Sequence, residues 1–324
     1  MGHKRLMKAV SLFLIGSVVF GCAACSKKPS AKNLDKVATS KLDAEEIALE
    51  DIKDMEQDEI TEALEDGIVI KTNGEEIDDV FGKQIKKADT SSAAEVGEAV
   101  GVDIDDWDTD DLGDITVYAK AEGVDELGEG EFDDANVVFA TVVEFTDKDK
   151  ANDAFEDFMG NIEDLMEDQL DLDLEDLSED EYLNDGDKGH FVICMGADDI
   201  IDGVKDMYKQ YGGDMDKDQL KEMQKMLGDL QIVVGVYYDN GVFTIVGGFS
   251  ANGLDDLETV CDKLGIDNPL EVENSEDLKE ALISGVIGGG ISNYIDKAQS
   301  AMAEVEEHNE AIRELEEEID DELS

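Results

Sequence analysis

The sequence is short of several residue types. Aromatic residues make up 6% of the 324 residues, with one tryptophan, and there are two prolines and three histidines. Arginine occurs only as Arg5 and Arg313. With so few aromatics, the chain has little to line a large ligand cleft. The short motifs of common catalytic chemistry are absent too. There is no Gly-x-Ser-x-Gly elbow, no phosphate loop of the GxxxxGK[ST] type and no His-Glu-x-x-His. One Cys-x-x-Cys pair occurs, Cys22-Ala23-Ala24-Cys25, and it falls beside a signal-like segment. The histidines outside that segment, His190 and His308, read as structural.

Acid is what the chain has in excess. Asp and Glu number 85 against 26 Lys and Arg, a formal charge of −59. Such a surface repels nucleic acid and anionic polymers, and attracts cations and basic partners. Apolar content of 41% is enough for a sizeable core.

The first residues depart from this composition. Lys4, Arg5 and Lys8 form a basic head, followed by the apolar and small-residue run Ala9–Gly21 and then Cys22. Basic head, short apolar core and a small residue before a cut mark an export signal over residues 1–21. The run is too short to cross a hydrocarbon core, which takes about 20 residues. Losing the three basic residues of the head with the signal takes the charge from −59 to −62.

Val19-Phe20-Gly21-Cys22 resembles the lipobox of bacterial lipoproteins. The resemblance covers these residues alone. It implies cleavage before Cys22, diacylglycerol on the Cys22 thiol, and anchoring to the outer face of the cell membrane. Phe20 is larger than usual at its position. Cys25 is the alternative lipidation site, but it has Cys22 where an aliphatic residue is expected. Residues 22–41 carry Lys27, Lys28, Lys32, Lys36 and Lys41 against Asp35 alone, and read as a basic tether to an anionic bilayer.

The body is expected to be α+β, with antiparallel hairpins backed by helices and helical extensions at both ends. Residues 42–112 read as an acidic, mostly helical region, with one helix over Leu42–Asp66. Residues 113–290 carry the α+β domain. Ile115, Val117 and Ala119 alternate with polar residues, as in a half-buried strand. Residues 137–145 form a second strand, and Thr146 with Asp149 resembles a capping box for the helix that follows. Asn240-Gly241 is a strong two-residue hairpin signal. It pairs Ile232, Val234, Val236 and Tyr238 with Phe249, Gly247, Ile245 and Phe243. Each hairpin precedes a helical pattern, so two strand–strand–helix units are expected, open to a reading as a duplication. Met207, Met223 and Met226 read as core filler, and Cys194 and Cys261 as small core residues or a disulfide pair. Residues 291–324 form a long helix with an imperfect heptad seam, suited to a helix partner.

One acidic stretch stands out. Asp103, Asp105, Asp106, Asp108, Asp110 and Asp111 surround Trp107, the dense carboxylate pattern a weakly bound calcium ion uses. The register of an EF-hand fails there, since Leu112 and Ala119 fall at ligand positions. A solvated acidic loop is the plainer reading. No cofactor is implied. The class expected is a non-enzymatic binding or interaction module. A solute-binding lipoprotein serving a transporter, or a carboxylate-based hydrolase, are the alternatives.

Overall fold

The computed structural model describes residues 29–55, 57–77, 111–123, 135–170, 172–174, 177–186, 188–210 and 217–283. The segment expected to be an export signal, Cys22, Cys25, Trp107, Asp103 to Asp110 and residues 291–324 lie outside the described residues.

The described elements run in the order α1 (Ala31–Lys41), β1 (Glu45–Ala48), α2 (Leu49–Asp54), α3 (Gln57–Asp66), β2 (Ile68–Asn73), β3 (Leu112–Glu122), β4 (Asn136–Phe145), α4 (Lys148–Leu170), β5 (Tyr182–Asn184), β6 (Lys188–Gly196), α5 (Ala197–Gln210), α6 (Lys217–Leu227), β7 (Gln231–Asp239), β8 (Val242–Ser250) and α7 (Asp255–Leu264). A 3-10 turn at Pro269–Glu271 leads to a last helix, α8, over residues 276–283. All eight strands join one sheet in the order β1-β2-β3-β4-β8-β7-β6-β5. Only β1 and β2 pair in parallel; every other neighbour is antiparallel. The α+β class with helix-backed hairpins holds.

Helices cover both faces of the sheet. On the first face Phe155, Phe158, Met159 and Ile162 of α4 pack with Val143, Tyr238 and Phe243, and Leu64 of α3 and Leu278 of α8 join the same core. On the second face Leu34, Val37 and Ala38 of α1 and Leu257, Val260, Cys261 and Leu264 of α7 cover Val138, Ala140, Val142 and Val246. A smaller cluster joins α5 and α6 through Ile201, Leu227 and Leu230, against Ile232 and Phe249 on the first face. Burial on both faces explains why β3 is not half-buried as its alternation suggested. Thr116 and Tyr118 are as buried as Ile115 and Val117.

The β7–β8 hairpin has the expected register, with Tyr238 opposite Phe243, Val236 opposite Ile245, Val234 opposite Gly247 and Ile232 opposite Phe249. Asn240 and Gly241 turn the chain with φ of 55° and 80°, as a type I′ turn requires. The two hairpins meet through β4 and β8, in a pairing that sets Phe139 beside Gly247 and Val143 beside Phe243. Their helices part company: α4 lies on the first face and α7 on the second. β4 ends on Phe145, a residue packed on the first-face core, whereas β8 ends on Ser250, opposite in parity to Phe243. The two units therefore match as hairpins, and not as strand–strand–helix repeats.

Three expectations near the N-terminus are corrected. The tether expected through Lys41 is a folded helix from Ala31 onward. Its Ala31, Leu34, Val37 and Ala38 recur at helical spacing and are buried, and Ser30 caps it by accepting from the Asn33 amide at 3.2 Å. The single helix expected over Leu42–Asp66 is instead a strand and two short helices. Asp43 takes φ of 53°, and the Glu45 amide donates to Gly67 at 2.9 Å as β1 aligns beside β2. Sheet pairing outweighs the helix propensity of this Glu- and Ala-rich segment. Finally, no domain boundary falls near residue 112, because β1 and β2 belong to the same sheet as β3 to β8.

The start of α4 also differs. Asp147, not Thr146, caps it, its Oδ1 accepting from the Asp149 amide at 2.8 Å. Thr146 donates through its amide and its hydroxyl to the Asp111 carbonyl.

Candidate functional site

Three groups of charged side chains stand out among the described residues. The first is centred on Glu181, whose side chain is 1% exposed. One carboxylate oxygen accepts from the Ser178 amide at 2.9 Å and its hydroxyl at 2.7 Å. The other accepts from the Ser275 amide at 2.7 Å, the Ser275 hydroxyl at 2.9 Å and Asn274 Nδ2 at 3.5 Å. Asn274 also donates to the Val192 carbonyl at 2.9 Å and accepts from the Cys194 amide. Burial alone would raise the Glu181 pKa. The donors of Ser275 and Ser178 outweigh it and hold the carboxyl below the ordinary glutamate value. Every donor here comes from the turn before β5, from β6 or from the start of α8. The cluster thus ties the chain leading into α8 to the sheet, and its lone pairs are already taken.

The second group joins β3 to α7. Lys120 Nζ lies 3.4 Å from Asp256 Oδ2 and 3.5 Å from Glu122 Oε1. The Tyr118 hydroxyl donates to the same Asp256 oxygen at 3.5 Å. Burial, then the Asp256 charge, raises the Tyr118 phenol above its ordinary value. Burial lowers Lys120, but Asp256 and Glu122 more than compensate, so it stays charged. In the third group Lys279 of α8 pairs with Asp199 of α5 at 3.0 Å, while Asp199 caps α5 by accepting from the Gly196 amide at 2.8 Å. Each group bridges two elements, as a structural ion pair does.

Among the described residues, no three His, Cys, Asp or Glu side chains are placed to hold a metal ion. Of the aspartates expected to attract calcium, Asp111 alone is described. Its carboxylate lies 3.1 Å from Lys150 Nζ. Cys194 and Cys261 are free thiols, not a disulfide. Burial pushes the Cys261 thiol up to about 12 and raises Cys194 as well, which leaves both protonated and unreactive. His190 donates through Nε2 to the Glu179 carbonyl at 2.9 Å, a structural role. Met223 is half-buried beside the α5–α6 cluster, but Met226 is 43% exposed and is not core filler. The side chain of Met207 lies outside the described residues.

The sequence did not single out Glu181, because in so acidic a chain no one carboxylate is conspicuous.

One surface contrasts with the acidic body. Lys32 and Lys36 project from the exposed side of α1 and Lys41 is exposed at its C-terminal end, while Asp35 turns toward Lys71 of β2 at 3.7 Å. Lys71 also pairs with Glu46 at 2.7 Å, so the acids nearest this side are partly neutralised. The Ala31 amide, at the start of α1, donates to the Glu144 carboxylate of β4. Pro29, just before the helix, is buried.

No family model, curated protein or solved structure matches this chain.

Proposed function

We propose that this chain is an exported, lipid-anchored protein of the bacterial cell surface that acts as a non-enzymatic binding or interaction module. The reading rests on Val19-Phe20-Gly21-Cys22 behind its basic head and apolar run. The fold is consistent with it: the buried Glu181 cluster and the partly exposed Lys120 and Lys279 ion pairs join elements of the fold. The acidic exterior favours a basic partner or cations.

Expression in a bacterial host tests the anchor. The mature protein should float with membranes, and its N-terminal peptide should begin at Cys22 and carry the mass of diacylglycerol. Cys22→Ala should release it to the soluble fraction. Unchanged acylation and retention in that variant would move the assignment to Cys25, and a chain never acylated would end the lipoprotein reading.

A further inference from the structure

The anchor and the helix together set how the body would sit on the membrane. This step rests on the lipoprotein reading above. From Cys22 to the buried Pro29 is seven residues, which span at most about 25 Å when fully extended. A compact chain of this length has a radius of gyration of about 20 Å. The link is thus no longer than the body is wide, and it keeps the near edge of the body within about 25 Å of the bilayer. Its exit point is fixed as well, by buried Pro29, the Ser30 cap and the Ala31–Glu144 hydrogen bond.

Immediately after that point come Lys32 and Lys36, one helical turn apart and both exposed, with Lys41 at the far end. At 1.5 Å per residue, Lys36 is about 10 Å from the exit point, within a Debye length at moderate salt. α1 carries three lysines against Asp35, in a chain whose formal charge is −59. The neighbouring α7 is acidic, with Asp255, Asp256, Glu258 and Asp262 against Lys263. An anionic bilayer repels α7 and attracts α1, so the two helices select a tilt and not merely a distance.

The geometry points to the exposed side of α1, at Lys32 and Lys36, as a docking surface for anionic phospholipid headgroups, which holds the anchored body in one orientation. The lysines expected to lie along a loose tether are instead presented by a helix packed on the sheet, so their attraction to the membrane turns the whole body.

Amine acylation of the full mature lipoprotein, read by mass spectrometry, tests this. The protein is reconstituted into phosphatidylcholine vesicles with and without about a third phosphatidylglycerol, at low protein density. Lys221 and Lys225 on α6, which packs on the opposite sheet face, are internal controls. Lys32 and Lys36 should label several-fold more slowly than these controls in the anionic vesicles. The difference should vanish in pure phosphatidylcholine or at 0.5 M salt, a loss screening predicts. A Lys32→Glu variant should stay membrane-bound, while Lys36 loses its protection relative to Lys221 and Lys225. Equal labelling of α1 and α6 lysines in anionic vesicles overturns the proposal, as does protection of α6 instead. Protection that grows with protein density would assign the surface to a second copy and overturn it too. Flotation and the N-terminal mass report separately on the anchor: an acylated, floating protein without the footprint sinks the orientation alone, whereas an unacylated one sinks both.

Discussion

Phe139 of β4 lies over Gly247 of β8, in the cross-strand pair that joins the two hairpins. A methyl group on Gly247 would sit 2.5 Å from Phe139 Cζ and 2.6 Å from the Val233 carbonyl oxygen. The ring fills the place of the missing side chain, so the glycine is a packing requirement at the centre of the sheet.

Gly247→Ala should therefore cost about 1–3 kcal/mol, as overpacking does. Gly160, inside α4, has nothing within 4 Å of the same added methyl. There, Ala should stabilise by about 0.5–1 kcal/mol through helix propensity. Urea melts of the two variants should move in opposite directions; a Gly247→Ala protein as stable as the parent would place the Phe139 ring elsewhere.

Phe243 is fully buried, with its ring edge-on to Phe155 at 5.9 Å and to Phe158 at 5.3 Å. Phe243→Ala removes its two ring contacts to α4 and leaves the Phe155–Tyr238 stack. A loss of about 3–5 kcal/mol is expected. Less than about 1 kcal/mol in a urea melt would mean that face is wet.

The Glu181 site makes a pH prediction. Its carboxyl is held below the ordinary value of 4.5 in the fold. Its contribution to stability is thus fully present above the unfolded pKa, and is lost as the pH falls through the folded one. Glu181→Gln presents an amide to serine donors and should cost about 1–3 kcal/mol at pH 7. Measured as a difference from the parent, which cancels the other acids, the gap should stay constant above pH 5 and narrow below about 4.5. A gap independent of pH down to acid unfolding would show that folding does not lower the Glu181 pKa.

The aspartates around Trp107 supply the last prediction. Calcium should bind weakly, with Kd on the order of millimolar. It should change Trp107 fluorescence and raise the Tm saturably, as site binding does. Sodium at equal ionic strength acts only by screening. Identical responses to the two ions would reduce the cluster to a solvated acidic loop.

Local signals carried much of the fold. Asn240-Gly241 admits positive φ at both turn positions, and that fixed the register of four cross-strand pairs. The Leu42–Asp66 segment misled because its helix-forming composition says nothing of the partner strand, Ile68–Asn73, that draws Glu45–Ala48 into the sheet. The lysines of α1 were legible as charge. That the intervening Leu34, Val37 and Ala38 would find a sheet to pack on was not.

By itself the sequence determined the acidic balance, the α+β class and the β7–β8 hairpin, because each depends on residues adjacent in the chain or on composition. Tertiary structure alone decided that the strands make one sheet, that α4 and α7 take opposite faces, and that Glu181 meets Asn274 and Ser275 across 93 and 94 residues of chain. Those outcomes depend on which surfaces meet once the chain has closed on itself. Contacts of that separation leave no local pattern, since their energy is gained only after the loop between them is closed.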